Sequence, residues 1–94
     1  MLFHITHTHA YETCMAHKEK EKEKFSETIS NSENSGVKVH GVYADPPGHQ
    51  IFIVAETDTM EQLVNFLNPI IDFGDYDIRP VLHFSTAIEN LSND

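Results

Sequence analysis

Seven histidines and a single cysteine are the residues of this 94-residue chain with the strongest potential for chemistry. They are spread along the chain and not gathered in a tag. The densest pattern is His7-x-His9-x4-Cys14-x2-His17, with His40 and His49 following later. Alternate residues of a strand share a face and lie about 6.5–7 Å apart, so His7 and His9 can converge on one ion. A thiolate with imidazoles suits zinc, copper, nickel or iron and does not suit magnesium or calcium, with zinc the first choice. Three histidines around an open position would activate a bound water. A closed set of four that includes Cys14 would instead mark a structural or delivery site.

Those residues need elements to carry them. Residues 2–9 alternate, with Phe3, Ile5, His7 and His9 on one face and Leu2, His4, Thr6 and Thr8 on the other, and predict a strand. Residues 10–13 predict a turn. A helix is expected from Cys14 to about Asn34, its Lys18–Lys24 run alternating Lys and Glu, with Phe25 and Ile29 as its apolar anchors. Cys14 in the first turn of such a helix, beside His17, would have a depressed pKa and raised reactivity. Gly36 is a natural C-cap. Residues 37–44 predict a second strand, and Asp45-Pro46-Pro47-Gly48 a turn. Gln50–Glu56, apolar almost throughout, predicts a central strand. A four-residue loop pairs Ala44 with His49 and His40 with Ile53, which brings His49 beside His9 and puts His40 on the same face.

Asp58 with Glu61 fits a capping box for a second helix, whose stripe is Met60, Leu63, Val64, Leu67, Ile70 and Ile71. Pro69 should kink or shorten its end, and Gly74 stops it. Residues 76–82 predict a fourth strand, with Pro80 marking an edge. Residues 84–91 predict a tail helix after a core of 1–83. The sequence of elements is β-α-β-β-α-β. Its compact solution is an α+β, ferredoxin-like domain over residues 1–94, with a four-stranded antiparallel sheet in order 4-1-3-2 and both helices on one face. The other sheet face needs a cover, and a homodimer that forms a dimeric α/β barrel would supply it.

The segments Met1-Leu2-Phe3, Thr6 and Thr8, Gly36-Val37-Lys38, Glu56-Thr57-Asp58 and Pro80-Val81-Leu82 together resemble the family grouped as domain of unknown function 3303. The resemblance implies the dimeric α/β-barrel fold and carries no activity. This chain departs from the family pattern at His4, His7 and His9, where apolar or aromatic residues are usual.

The candidate metal ligands are therefore His7, His9, Cys14, His17 and His49, with His40, Glu12 and Tyr43 as supporting or alternative groups. His4 and His83 fall outside the cluster. Two further readings are open. One is a metal-free enzyme or small-ligand module in which His7, His9 and Tyr43 position an organic ligand. The other is a pH-sensitive assembly protein, since charging all seven histidines takes the net charge from −9 to −2 (−9 + 7).

Composition narrows the partners. Fifteen acidic residues against six basic ones give that charge of −9, which opposes binding to nucleic acid or to anionic membranes. No apolar run reaches the roughly 18 residues of a membrane span. The start Met1-Leu2-Phe3-His4 lacks the basic and apolar regions of a signal peptide, and one cysteine cannot form an internal disulfide. A cytoplasmic metal protein with a small-molecule substrate is the expectation.

Overall fold

The computed structural model describes residues 1–92. Strand β1 is Leu2–Thr8, and helix α1, Glu19–Ser30, follows two single 3-10 turns at Tyr11–Thr13 and Met15–His17. Strands β2 (Lys38–Asp45) and β3 (Gln50–Glu56) form a hairpin. Helix α2 (Met60–Leu67) continues as a 3-10 stretch over Asn68–Phe73, then come β4 (Asp75–Val81) and helix α3 (Phe84–Ser92). The sheet is antiparallel in order β2-β3-β1-β4, which is the expected 4-1-3-2 read from its other edge. Central β3 and edge β4, with its Pro80, stand where their sequences predict.

The core lies between sheet and helices. Phe3 and Ile5 of β1 meet Ile53 and Ala55 of β3, and all four are buried. Phe25 fastens α1, with partly buried Ile29 beside it. From the second helix come Leu63, Phe66, Leu67 and Ile70. Each large apolar side chain fully buried here contributes about 1.5–3 kcal/mol. The i, i+3, i+4, i+7 stripe thus runs through Phe66, which the sequence reading omits, while Met60, Val64 and Ile71 are 49%, 49% and 44% exposed. The cap also sits one residue later than expected. Thr59 accepts from the Gln62 amide at 3.2 Å, and Gln62 Oε1 accepts from the Thr59 amide. Pro69 ends the α-helical pattern as predicted, and the chain tightens to 3-10 at Asn68.

The first helix differs more. It begins at Glu19, not at Cys14, because residues 11–17 offer only Met15 as a buried anchor. Glu19 and Glu21 in its first turn suit the positive end of the helix dipole. Of the Lys/Glu alternation, Glu19 and Lys22 close an exposed pair at 3.0 Å, which is worth little. Its C-terminal end is also shorter, and Asn31 leads into a 3-10 turn over Ser32–Ser35 that Gly36 closes in the left-handed region at φ 76°.

The hairpin register differs as well. Asp45 pairs with Gln50, Ala44 with Ile51 and Val42 with Ile53, and a bulge lies between Val39 and Gly41. The bulge absorbs His40 and turns it to the sheet face opposite the helices. That outer face carries His4, Phe52 and Val54, all half-buried. The tail helix extends one residue past the expected 84–91; residues 93–94 of that tail lie outside the described part.

Gly74 links the second helix to β4 at the back of β1. A Cβ there would lie 2.5 Å from the Thr8 carbonyl oxygen and 2.6 Å from His7 Nε2. Gly74→Ala is expected to lower stability by about 1–3 kcal/mol, since neither the strand backbone nor a packed ring can yield cheaply. A urea midpoint equal to wild type would refute this.

Candidate metal centre

The end of β1 delivers His9 to the mouth of the sheet. The β1–β3 ladder continues one step beyond the strands, where the His9 amide donates to the His49 carbonyl at 3.0 Å. Paired residues share a face, so the two imidazoles come together with ring centroids 5.3 Å apart. His49 reaches this place through an unusual backbone: its φ is 55°, in the left-handed region. That conformation is uncommon outside glycine. The preceding turn enforces it, with Asp45 Oδ1 accepting from the Gly48 amide at 3.1 Å and the Pro46 carbonyl accepting from the His49 amide at 3.2 Å.

Cys14 arrives between the two 3-10 turns that cross the end of the sheet. It has extended backbone and lies outside any α-helix, so the helix-dipole argument for a reactive thiol does not apply to it. One ligand atom each from His9, Cys14 and His49 lie within 4.8 Å of one another. Tetrahedral zinc with bonds of about 2.0 and 2.3 Å needs such atoms about 3.3–3.6 Å apart, so a contraction of about 1 Å would close the set. The Nδ1 atoms of His9 and His49 are buried without a hydrogen-bond partner, as is that of His7 in the layer beneath, and a buried imidazole nitrogen left bare is costly unless something binds it.

His7 belongs to the layer beneath. It is fully buried, and its Nε2–H donates to the Phe73 carbonyl at 3.1 Å. Its ring lies 5.1 Å from His9, 5.5 Å from Phe25 and 5.0 Å from Tyr76. Tyr76, its cross-strand partner, donates its hydroxyl to the Ile70 carbonyl at 2.6 Å. Together the two side chains satisfy carbonyls of the 3-10 stretch over Asn68–Phe73. His7 is thus a prop for the floor of the site and stands outside the converging set of three. Tyr76 was missed from sequence, although order 4-1 in the sheet already implies that a β4 residue faces His7.

Electrostatics agree with neutral rings. Burial holds His7 below its ordinary pKa, partly opposed by the Phe73 carbonyl and Asp75. Burial also lowers His9, and the neighbouring His7 and His49 add to the effect. Burial pushes the Tyr76 phenol upward. Neutral imidazole is the metal-binding form.

The remaining candidates separate into two groups. His17 and Glu12 line the same cleft, which has a volume of about 550 Å³, but both are exposed and neither joins the set of three. His40 and Tyr43 do not reach it. His40 Nε2 contacts Glu56 Oε1 at 2.8 Å on the outer face, a contact that holds the Glu56 carboxyl below its usual range. Tyr43 pairs with Phe52 on that same outer face and is 64% exposed. The bulge at His40 is the reason that the expected shared face fails. His4 packs near Phe52, and His83 is exposed, both away from the cluster as expected.

Fold and site together define a small ferredoxin-like α+β protein with an open His/Cys group at one end of its sheet. The chain belongs to the family described as "Domain of unknown function (DUF3303)", whose model matches residues 1–93. Among solved structures it is similar to the one titled "Crystal structure analysis of SCO4226 from Streptomyces coelicolor A3(2)". That likeness has a TM-score of 0.57 at 15% identity and covers 85% of this chain and 96% of the other. It concerns the fold alone. No curated protein sequence matches the chain. Among the described residues no helix is long and apolar enough to cross a membrane.

Proposed function

We propose that this protein is a small cytoplasmic transition-metal-binding protein, that His9, Cys14 and His49 are its ligands, and that zinc is the preferred metal ahead of copper, nickel or iron. One observation carries the reading: three soft or borderline donors from distant stretches of chain lie within 4.8 Å of one another. The unpartnered Nδ1 atoms of His9 and His49 strengthen it. One thiolate with two imidazoles is a donor set that zinc accepts in tetrahedral geometry. The outer sheet face, where the apolar Phe52 and Val54 are only half-buried, supports a homodimer as the working form.

Native mass spectrometry of untagged protein after zinc loading tests both parts. The expected spectrum has the mass of two chains and one zinc per chain. Fewer than about 0.2 zinc per chain after reconstitution would reject the metal reading, and a single-chain mass at micromolar concentration would reject the dimer.

A further inference from the structure

We propose that the cleft beside His9, Cys14 and His49 binds a small organic carboxylate, whose head group fills the fourth metal position and whose apolar body lies along the cleft wall. This inference rests on the metal reading above and names the ligand class of the same site.

Donor count is the first argument. Zinc takes four ligands, and sites with three protein ligands leave the fourth for a molecule from outside. His17 and Glu12 are exposed and lie outside the converging set, so among the described residues three donors converge. Space is the second. At about 550 Å³ the cleft far exceeds what one water needs and falls in the range of small-molecule sites. Met15, Ala44, Pro46 and Ile51 give it an apolar wall. Such a wall rewards a hydrocarbon body and offers nothing to a bare inorganic ion.

Charge is the third argument. A divalent ion with one thiolate and two neutral imidazoles carries a net charge of +1, which favours an anionic fourth ligand. At the rim, Lys18 Nζ donates to the Glu12 carbonyl at 3.2 Å, which holds its ammonium beside the cleft. Two carboxylates, Glu12 and Asp45, also line the cleft, and that of Asp45 accepts from the Gly48 amide, so the cation that draws an anion is the metal itself with Lys18 at its rim. A carboxylate, planar and bidentate, can meet the metal while still facing the Lys18 side of the rim.

The experiment uses the full chain loaded with cobalt(II). A thiolate-to-cobalt charge-transfer band comes first, and its absence overturns the metal reading itself. With that band present, the protein is titrated with acetate, butyrate and hexanoate, and with butanol as the uncharged control. The expected result is a saturable shift of the cobalt ligand-field bands by the acids and none by butanol. Affinity should rise about four-fold per added methylene. Lys18→Gln should lower the affinity for each acid about two- to five-fold. No saturable shift, or a shift indifferent to chain length and to Lys18, overturns the carboxylate proposal while leaving the metal site standing.

Discussion

Cys14→Ser is expected to weaken zinc binding at least about 100-fold, the largest effect any single change in this protein should produce on its proposed function. Even residues that only support metal ligands cost 10–100-fold when replaced, and loss of a ligand costs no less. Serine keeps the size of the side chain but stays protonated at neutral pH and is a poor partner for a borderline-soft ion. Because Cys14 is half-exposed and lies between turns, the apo protein should keep its stability within about 0.5 kcal/mol. His9→Ala should match the loss in affinity. His17→Ala should change it less than about three-fold, since an exposed residue outside the converging set contributes at most a weak, rim-like term. Competition with a chromophoric chelator measures all three. Equal affinities for wild type and Cys14→Ser would remove the thiolate from the site, and a His17 loss as large as that of His9 would show that the turn rearranges to bring His17 in.

How much of this could be read before the structure depends on what kind of regularity each residue obeyed. Period-two alternation put Phe3, Ile5, His7 and His9 on one face, and strand order then required His49 to arrive beside His9. Both follow from rules that hold along a whole strand. His40 broke away because a single inserted residue in β2 reverses every later side-chain direction, and no composition signal marks that bulge. Cys14 falls outside the helix because the residues before Lys18 have no apolar period to hold one, although nothing in them breaks a helix outright. The left-handed backbone at His49 was equally hidden: Gly48 is the residue expected to take a positive φ, yet His49 takes it. The distinction between His7 and His9 is subtler. Both occupy the same face, and what separates them is the carbonyl of Phe73, freed by a 3-10 stretch that follows from Pro69 only once the sheet order brings it against β1. Local pattern therefore gathered these side chains at one end of the sheet, while which of them converge depended on backbone irregularities.

Those same two histidines should make the metal-free protein acid-sensitive well above the range where carboxylates titrate. In the unfolded chain both titrate near the ordinary imidazole pKa of about 6.5; in the fold burial depresses each below it. Above about pH 7.5 both are neutral in either state and contribute no pH dependence. As pH falls below 6.5 the unfolded chain takes up protons that the folded chain refuses, so the unfolded state binds more and stability falls. The decline continues until pH reaches the depressed folded values, after which both states protonate together. Each histidine can contribute a slope of at most about 1.4 kcal/mol per pH unit. The window of loss therefore opens at about pH 6.5 and extends down to the depressed folded values, against a total stability of the order of 5–15 kcal/mol. Urea midpoints with chelator present should fall steadily across that window. His7→Leu distinguishes this cause from general acid loss. It leaves the Phe73 carbonyl without its donor, so the midpoint at pH 7.5 drops, by about 1–3 kcal/mol in free energy. It also removes one of the two titrating groups, so the slope below about pH 6.5 should become shallower than in wild type. A wild-type midpoint that stays level from pH 7 to 5, or a His7→Leu slope as steep as wild type, would mean that these buried rings accept protons without resistance.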